Sequence, residues 1–316
     1  MNTSKPKQIF PDSDTKRWLS NEAEVWRYVP LRTLLLYLDG SLFIPSVGKL
    51  RAADPFEGEF YEEIAWFNDA FAERYGNDAA NIDEWILKDL CSDSERHVFE
   101  INKQQGALLV EILRKHYFAW IRRTRFAWCW FHSYRESAAM WNIYGKQGVA
   151  VKSNVGRIAA MLEGTGRDFI FGKMTYVDYA TGVSTEFNPE DPADYQLLLR
   201  PFFLKRMEYE SEKEVRFVTA DSNGANLGGI LLENLNPQDW ISAIRLWPKL
   251  TCGEERSVRK TIQHFMPQVE CSRSELLTGP DEPVDFNDTL DEDRGGLKET
   301  TWKEVKDGIP VALKEV

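Results

Sequence analysis

Apolar and polar positions along the chain predict short strands that alternate irregularly with helices. Alternating positions or short continuous apolar runs are typical of strands, and apolar residues three and four apart are typical of helices. The main predicted strands are 25–31, 41–46, 125–131, 148–153, 168–179, 212–219, 243–248 and 268–276. Because strands and helices do not alternate regularly, the pattern favours an α+β fold with a mixed, mostly antiparallel β core.

Helical periodicity dominates residues 59–123 and predicts a helical subdomain inserted into the β core. Shorter helices are predicted at 31–40, 136–146, 155–164, 193–207 and 253–265. The chain then divides into a polar lead-in (1–23), a single α+β domain (24–276), and an acidic linker with a tail (277–316). Seven acidic side chains fall within 281–293, a composition typical of disordered linkers.

Composition narrows the class of protein. Hydrophobic residues make up 43% of the chain, with 11 Trp, which is ample for a sizeable core. The net charge is −11, so binding of a nucleic-acid backbone would need a local basic patch. The four cysteines form no CxxC pair, the N-terminus has no apolar signal core, and no apolar run is long enough for a membrane helix. These features predict a cytoplasmic protein without membrane association.

Familiar nucleotide and catalytic motifs are missing from the sequence. It contains no GxGxxG after a strand, no GxxxxGK[ST], no GxSxG, and no HxH or HxxxH, so no metal site is predicted. Four other stretches combine charged and aromatic residues: WRY (26–28), ADPFEG (53–58), WFHSYRESAAMWNIYG (130–145) and YESEKEVRFV (209–218).

The last of these stretches carries the clearest candidate chemistry. Interpreted as a strand, it places Glu210, Glu212, Glu214 and Arg216 on one face. Either this face is a solvated edge, or it is an active-site wall whose carboxylates stabilise a positive charge or hold a hydroxyl. Three like charges on one face repel. Glu214→Gln is therefore expected to leave stability unchanged or slightly higher.

Two further candidates lie in the WRY and ADPFEG stretches. Arg27, in an otherwise apolar strand, must find an anionic partner or ligand, or extend to water at the strand end. Asp54 and Glu57 lie in a turn, where they either serve a site or cap a helix.

The remaining candidates lie in residues 130–145. Ser133 follows a strand and, with Glu136, fits a capping box. Trp141 and Tyr144 share one helix face, where they either pack in the core or stack on a ligand.

As a set, these stretches resemble a large bacterial family described only as a domain of unknown function. Its members share an aromatic start followed by a short helix, an NDPFE turn, an S…MW..Y motif and a K…E.E.R motif. The matching segments here are WRYVPLRTLLLYLDGSLFIPS, AADPFEG, FHSYRESAAMWNIYGKQGVAV and FLKRMEYESEKEVRF. The resemblance spans roughly residues 24–272, with Ala53 in place of the usual Asn and a long insertion at 59–123.

The order of these features is also similar, more remotely, to the ADP-ribosyltransferase superfamily, with its Arg–Ser–Glu triad. The resemblance implies that Arg27 holds the phosphates or nicotinamide ribose of NAD and that Ser133 steadies the glutamate. It implies that Glu212 and Glu214 form the Glu-x-Glu pair. The family's Ser-Thr-Ser is replaced here by His-Ser-Tyr.

This second resemblance also implies the substrate and the activity. NAD would be cleaved, either by hydrolysis or by transfer of ADP-ribose to a protein or nucleic acid. Further NAD contacts would come from Tyr28, Trp141, Tyr144, Asp54 and Arg216. Such an enzyme would suit a bacterial toxin or anti-phage effector, controlled by a partner protein or antitoxin.

Two alternatives use the same stretches. The first is a non-catalytic module that recognises a nucleotide or a partner protein through Arg27, Asp54, Trp141, Tyr144 and Glu214. The second is a metal-dependent nuclease with Asp54, Glu57, Glu212 and Glu214 as ligands. Dependence on Mg²⁺ or Mn²⁺ separates the nuclease from NAD cleavage, which needs no metal in enzymes of this type.

Overall fold

The fold was analysed in a computed structural model that describes residues 7–8, 19–59, 106–178, 200–221, 228–274, 276, 302–306 and 309–312. Several segments named in the sequence analysis lie wholly or partly outside the described residues. They include most of the polar lead-in, residues 60–105 of the predicted helical insertion, residues 193–199 of the predicted helix 193–207, and most of the linker and tail 277–316 with its acidic stretch 281–293.

The strands of the described chain are β1 (Lys7–Gln8), β2 (Glu24–Pro30), β3 (Leu42–Pro45), β4 (Arg125–His132), β5 (Gly148–Asn154), β6 (Phe169–Lys173), β7 (Thr175–Val177), β8 (Leu204–Arg206), β9 (Glu214–Ala220), β10 (Gly229–Leu232), β11 (Ala243–Leu246), β12 (Glu270–Arg273), β13 (Trp302–Lys306) and β14 (Ile309–Ala312). Eight of them form a central sheet in the order β1-β6-β9-β4-β2-β5-β11-β12. Only the outermost pairs, β1–β6 and β11–β12, are parallel. The mixed, mostly antiparallel core predicted from the sequence is confirmed.

The helices of the described residues are α1 (Leu31–Leu38), α2 (Val47–Leu50), α3 (Gly106–Thr124), α4 (Ala138–Met140), α5 (Val155–Glu163), α6 (Pro237–Trp240) and α7 (Cys252–Phe265). A π-helical turn, Trp141–Gly145, continues α4. Two 3₁₀ turns flank β8: Arg200–Phe203 and Met207–Glu212. Helix α3 confirms helical structure in the described part of the predicted insertion.

The central sheet buries both of its faces. Strand register pairs Trp128 with Phe217 on one face, whose core includes Trp130 and the buried side of α5. On the other face, Ala127 and Val218 pack in a second apolar cluster with side chains of α2, α3 and the first 3₁₀ turn. A large side chain buried this fully contributes roughly 1.5–3 kcal/mol. The two layers therefore hold β4 and β9 rigidly at the centre of the fold.

Side-chain alternation gives the second face a polar end. Cys129 pairs with Arg216, and Phe131 pairs with Glu214, so these residues follow Ala127 and Val218 along the same face. Both charged side chains are buried. The apolar core thus ends in a buried charged region.

Several predicted elements differ from the structure. The predicted strand 168–179 divides into β6 and β7, which belong to different sheets. The described part of the predicted helix 193–207 consists of a 3₁₀ turn and the strand β8, and Pro201 cannot donate the backbone hydrogen bond that an α-helix needs. The predicted strand 212–219 begins only at Glu214. Before it, Glu212 ends a 3₁₀ turn, and Lys213 adopts a left-handed conformation with φ of 39°. A residue with positive φ breaks the alternation that the strand interpretation required.

Candidate functional site

Five charged side chains form a buried cluster at the polar end of the sheet. We call this cluster the carboxylate network: Glu57, Lys205, Glu212, Glu214 and Arg216. Their exposed fractions range from 1% for Arg216 to 8% for Lys205 and Glu212. The network joins four parts of the chain: the ADPFEG turn, β8, the second 3₁₀ turn and β9. Since it contains three carboxylates and two cations, its formal charge is −1.

Arg216 is held between two carboxylates. Its two Nη atoms donate to the two oxygens of Glu57, with Nη2 2.9 Å from Oε2. Its Nε donates to Glu214 Oε1 at 2.5 Å, and Nη1 also donates to the carbonyl of Phe202 at 2.9 Å. Burial alone would lower the pKa of Arg216, but the charges of Glu214 and Glu57 outweigh burial and raise it. Because these partners use all its nitrogens, the guanidinium is not free to make the NAD contact predicted for it.

Glu214 is bound by both cations of the network. Its Oε2 accepts from Lys205 Nζ at 3.0 Å and from Arg216 Nη2 at 3.2 Å. Its backbone N–H donates to the Tyr176 hydroxyl at 2.8 Å. Burial acts to raise the pKa of Glu214, but Arg216 and then Lys205 lower it to about 2. Glu214 therefore carries a fixed negative charge at neutral pH.

Glu212 pairs with Lys205, which also bonds to Glu214. Lys205 Nζ donates to Glu212 Oε2 at 2.5 Å and lies 4.7 Å from the ring centroid of Tyr209. The Tyr144 hydroxyl donates to Glu212 Oε1 at 2.8 Å. Tyr144 is 44% exposed, so its ring links the buried network to the surface. Glu212 and Glu214 thus reach one ammonium from a turn and a strand, and not from one strand face.

The other sequence-derived candidate of this stretch, Glu210, is exposed and lies outside the network. The interpretation of three carboxylates on one strand face is therefore wrong. The expectation that Glu214→Gln would relieve repulsion is also wrong, since Glu214 is buried and paired with two cations.

Because the pKa of Glu214 is low, the stability of the fold should depend on pH in the acid range. A carboxyl that titrates near 4.5 in the unfolded chain and near 2 in the fold stabilises the protein above about pH 4.5. That contribution, on the order of 3 kcal/mol, is lost as the pH falls from 4.5 towards 2. Over this pH range, the free energy of unfolding in urea should fall by about this much less in Glu214→Gln than in the wild type. The exposed control, Glu210→Gln, should retain the fall, and an equal fall in both variants would contradict the assignment.

Arg27 lies where two strands separate. β2 pairs with β4 only at Val25 and Trp26. Beyond them, Arg27 Nε donates to the Tyr37 hydroxyl at 3.0 Å, and Nη1 donates to the carbonyl of Cys129. No carboxylate of the described residues forms a salt bridge with Arg27, so its positive charge is held by neutral acceptors.

Ser133 takes part in a local turn. Its Oγ accepts from the backbone N–H of Arg135 at 3.1 Å, and its own N–H donates to the carbonyl of Glu24 at 3.2 Å. The predicted capping box of Ser133 and Glu136 is wrong, because Ser137 caps α4. Glu136 instead accepts from the Trp141 indole at 2.8 Å.

Tyr28 and Trp141 belong to the core. Their rings meet edge to face at 5.1 Å between centroids, with exposed fractions of 6% and 0%. The Tyr28 hydroxyl also accepts from the backbone N–H of Ser137 at 2.7 Å. Of the three aromatic residues predicted to stack on nicotinamide, only Tyr144 presents its ring to solvent.

Asp54 is buried beside the network. Its Oδ1 accepts from the backbone N–H of Phe56 at 3.1 Å and pairs with Arg206 at 3.0 Å. Its Oδ2 has no hydrogen-bond partner among the described residues. The side chain thus shapes the turn that delivers Glu57 to Arg216.

The triad residues implied by the resemblance lie on neighbouring strands. Trp26 pairs with Phe131, and Phe131 pairs with Glu214, so β2, β4 and β9 are adjacent in register at this end. Adjacent strands are about 4.8 Å apart. Arg27 is the residue after Trp26, so it starts on the opposite face of β2 from the residue in register with Glu214, and Ser133 directly follows β4.

Lys205 is the network residue that the sequence analysis missed. It lies in the apolar run FFLKRM, within the segment predicted to be helical. Two signals were available: Lys205 is the lysine that begins the K…E.E.R motif, and a lysine next to buried apolar residues needs an anionic partner if it is buried. The nearest carboxylates in sequence were the glutamates of 208–214.

Comparisons with known proteins add no further assignment: no protein-family model, curated protein or solved structure matches the chain. Within the described residues, no group of three or more His, Cys, Asp or Glu side chains could hold a metal ion. No helix in the same part of the chain is long and apolar enough to span a membrane.

Proposed function

We propose that this protein cleaves NAD, either by hydrolysis or by transfer of ADP-ribose to a macromolecule. One observation carries the proposal. Glu214 is a buried carboxylate, ionised at neutral pH, at the end of the sheet where Arg27 and Ser133 also lie. The ADP-ribosyltransferase resemblance implies these three residues as its Arg–Ser–Glu triad.

Such a carboxylate suits the chemistry of the reaction. When the bond between ribose C1′ and the nicotinamide nitrogen breaks, its electron pair leaves with nicotinamide and the ribose becomes oxocarbenium-like. A preoriented negative charge stabilises that state without reorganising during the reaction. Because Arg216 and Lys205 hold its oxygens, Glu214 acts as a fixed charge and not as a nucleophile.

Glu212 is placed to complete the reaction. Water or an acceptor group bonds to C1′ and loses a proton, and a nearby carboxylate can accept that proton. Glu212 lies nearer the surface than Glu214 through its contact with the exposed Tyr144. The charge of −1 on the carboxylate network also favours the cationic nicotinamide ring over its neutral product.

Tyr144 is the proposed contact for the nicotinamide ring. Tyr144→Ala removes the exposed ring and is expected to raise the KM for NAD about tenfold, because an aromatic contact of this kind contributes roughly 0.5–1.5 kcal/mol. Tyr144→Phe keeps the ring and loses only the hydrogen bond to Glu212. Steady-state kinetics should therefore show a smaller change in KM for Phe than for Ala. Equal KM values in the wild type and Tyr144→Ala would place the ring elsewhere.

NAD consumption by the purified protein tests the proposed function. Chromatography should show free nicotinamide together with ADP-ribose, or with ADP-ribose linked to a macromolecule when a cell extract is added. The reaction should continue in EDTA, because no step needs a metal. Unchanged NAD under all these conditions would refute the proposal.

A non-catalytic binding module is the second candidate. One observation favours it: each oxygen of Glu212 and Glu214 already has a partner in the fold. A module of this kind would bind NAD or another nucleotide in calorimetry and release it unchanged. Binding without turnover would therefore select this candidate over the enzyme.

The nuclease alternative receives no support from the geometry. Its four ligands would be Asp54, Glu57, Glu212 and Glu214. In the structure these carboxylates pair with Arg206, Arg216 and Lys205. A divalent ion would have to displace those cations, so we do not propose this function.

A further inference from the structure

The ammonium of Lys205 contacts three side chains. It contacts Oε2 of Glu212 and Oε2 of Glu214, and it lies over the ring of Tyr209. The two carboxylates come from different elements, the second 3₁₀ turn and β9. Lys205 is thus the one described residue that contacts both members of the Glu-x-Glu pair through charge.

No other described cation contacts both glutamates. Arg216 already serves Glu57 and Glu214 and makes no bond with Glu212 among the described residues. Without Lys205, Glu212 would keep only the hydroxyl of Tyr144 as a side-chain partner. Two buried carboxylates this close in sequence would then repel, because a low-dielectric site screens them poorly.

We infer that Lys205 is a positioning residue that holds Glu212 and Glu214 together as one ionised pair at the site of NAD cleavage. The inference rests on the proposed function for its catalytic consequence, but the positioning itself is independent of it. Lys205 fixes the distance between the carboxylate that stabilises positive charge and the carboxylate that accepts a proton. Its contact with Tyr209 keeps the ammonium in place while substrate enters.

Among the described residues, the titratable and charged groups around this pair come from a few packed elements. They are Tyr144 from the π turn, Tyr176 from β7, Lys205 from β8, Tyr209 from the second 3₁₀ turn, Arg216 from β9, Cys129 from β4, Glu57 from the ADPFEG turn and Arg27 from β2. Of the three cations, Lys205 and Arg216 bond to the pair, whereas Arg27 acts on Glu214 through its charge without a bond. Neutralising Lys205 therefore removes one of the two cations bonded to the pair.

Two variants test the inference. Lys205→Gln keeps a hydrogen-bond donor and loses the charge, whereas Lys205→Arg keeps the charge. Carbon NMR of labelled glutamate carboxyls, with the Glu214 signal assigned by its loss in Glu214→Gln, should show the pKa of Glu214 raised by about one unit or more in Lys205→Gln. Lys205→Arg should retain the wild-type titration. In NAD cleavage, kcat should fall about tenfold or more in Lys205→Gln with a smaller change in KM.

The two proposals fail in different ways. If the wild type does not cleave NAD, the proposed function fails, and the NMR titration alone still decides the role of Lys205. If the wild type cleaves NAD but Lys205→Gln leaves both the Glu214 titration and kcat unchanged, the positioning role is wrong. Should Lys205→Gln fail to fold, the wild-type signal decides, since a Glu214 carboxyl that titrates near 4.5 would overturn the inference without any variant.

Discussion

Replacing Glu214 with glutamine is expected to slow NAD cleavage by about 10²-fold or more. The substitution keeps the size of the side chain and removes the fixed negative charge that, under the proposed function, stabilises the developing oxocarbenium ion. A loss of this size is typical when electrostatic stabilisation is removed from a site shielded from water. It also leaves Arg216 and Lys205 undercompensated. The measurement is the rate of nicotinamide release, normalised to the folded fraction given by circular dichroism.

Glu57→Gln is the matched control for this prediction. Glu57 is the other carboxylate on Arg216 and is 3% exposed, against 5% for Glu214. Its loss should weaken the fold by a similar amount, on the order of 3 kcal/mol, for removal of one partner of a buried pair. It should spare most of the activity, since Glu57 bonds to Arg216 and, among the described residues, to neither Lys205 nor Glu212. Equal loss of activity in the two variants would show that the network supports only the fold.

Replacing Arg216 with methionine is expected to destabilise the protein by roughly 3–5 kcal/mol. Lys205 would then be the single cation of the carboxylate network, and Glu57 and Glu214 would stay buried without their shared partner. Arg216 is 1% exposed and donates to both carboxylates and to a backbone carbonyl. The free energy of unfolding in urea gives the magnitude. For a domain of ordinary stability, this is a large share of the total.

Arg167→Met provides the comparison for a surface pair. Arg167 pairs with Asp221 at 2.8 Å, but its side chain is 35% exposed. Exposed pairs contribute about 0–1 kcal/mol, so this variant should unfold close to the wild type. Comparable losses of unfolding free energy in Arg167→Met and Arg216→Met would contradict the conclusion that burial makes the ion pairs of the carboxylate network important for stability.

The sequence was sufficient to locate the central strands. Alternation and continuous apolar runs located β2, β4 and β5 to within a residue or two, since these strands are long and strongly apolar. Their antiparallel pairing was expected from the irregular order of elements. Register and the eight-strand order were not predictable, because they depend on contacts between distant segments.

The candidate site was harder to predict. Residue types identified Glu212, Glu214 and Arg216, but alternation misplaced Glu212, because a single left-handed residue, Lys213, changes the direction of the chain. Local pattern could not show that Glu57, more than 150 residues away, completes the shell of Arg216. Nor could it show that Trp141 would be buried. Such long-range pairing is set by tertiary packing, which overrides local propensity.

The most direct test of the central claim is nicotinamide release from NAD by the purified wild-type protein, with Glu57→Gln and Glu214→Gln assayed beside it. We expect release by the wild type, most of that rate in Glu57→Gln, and about 10²-fold less in Glu214→Gln. Absence of nicotinamide with the wild type, or the same rate in all three proteins, would contradict the assignment of Glu214 to NAD cleavage.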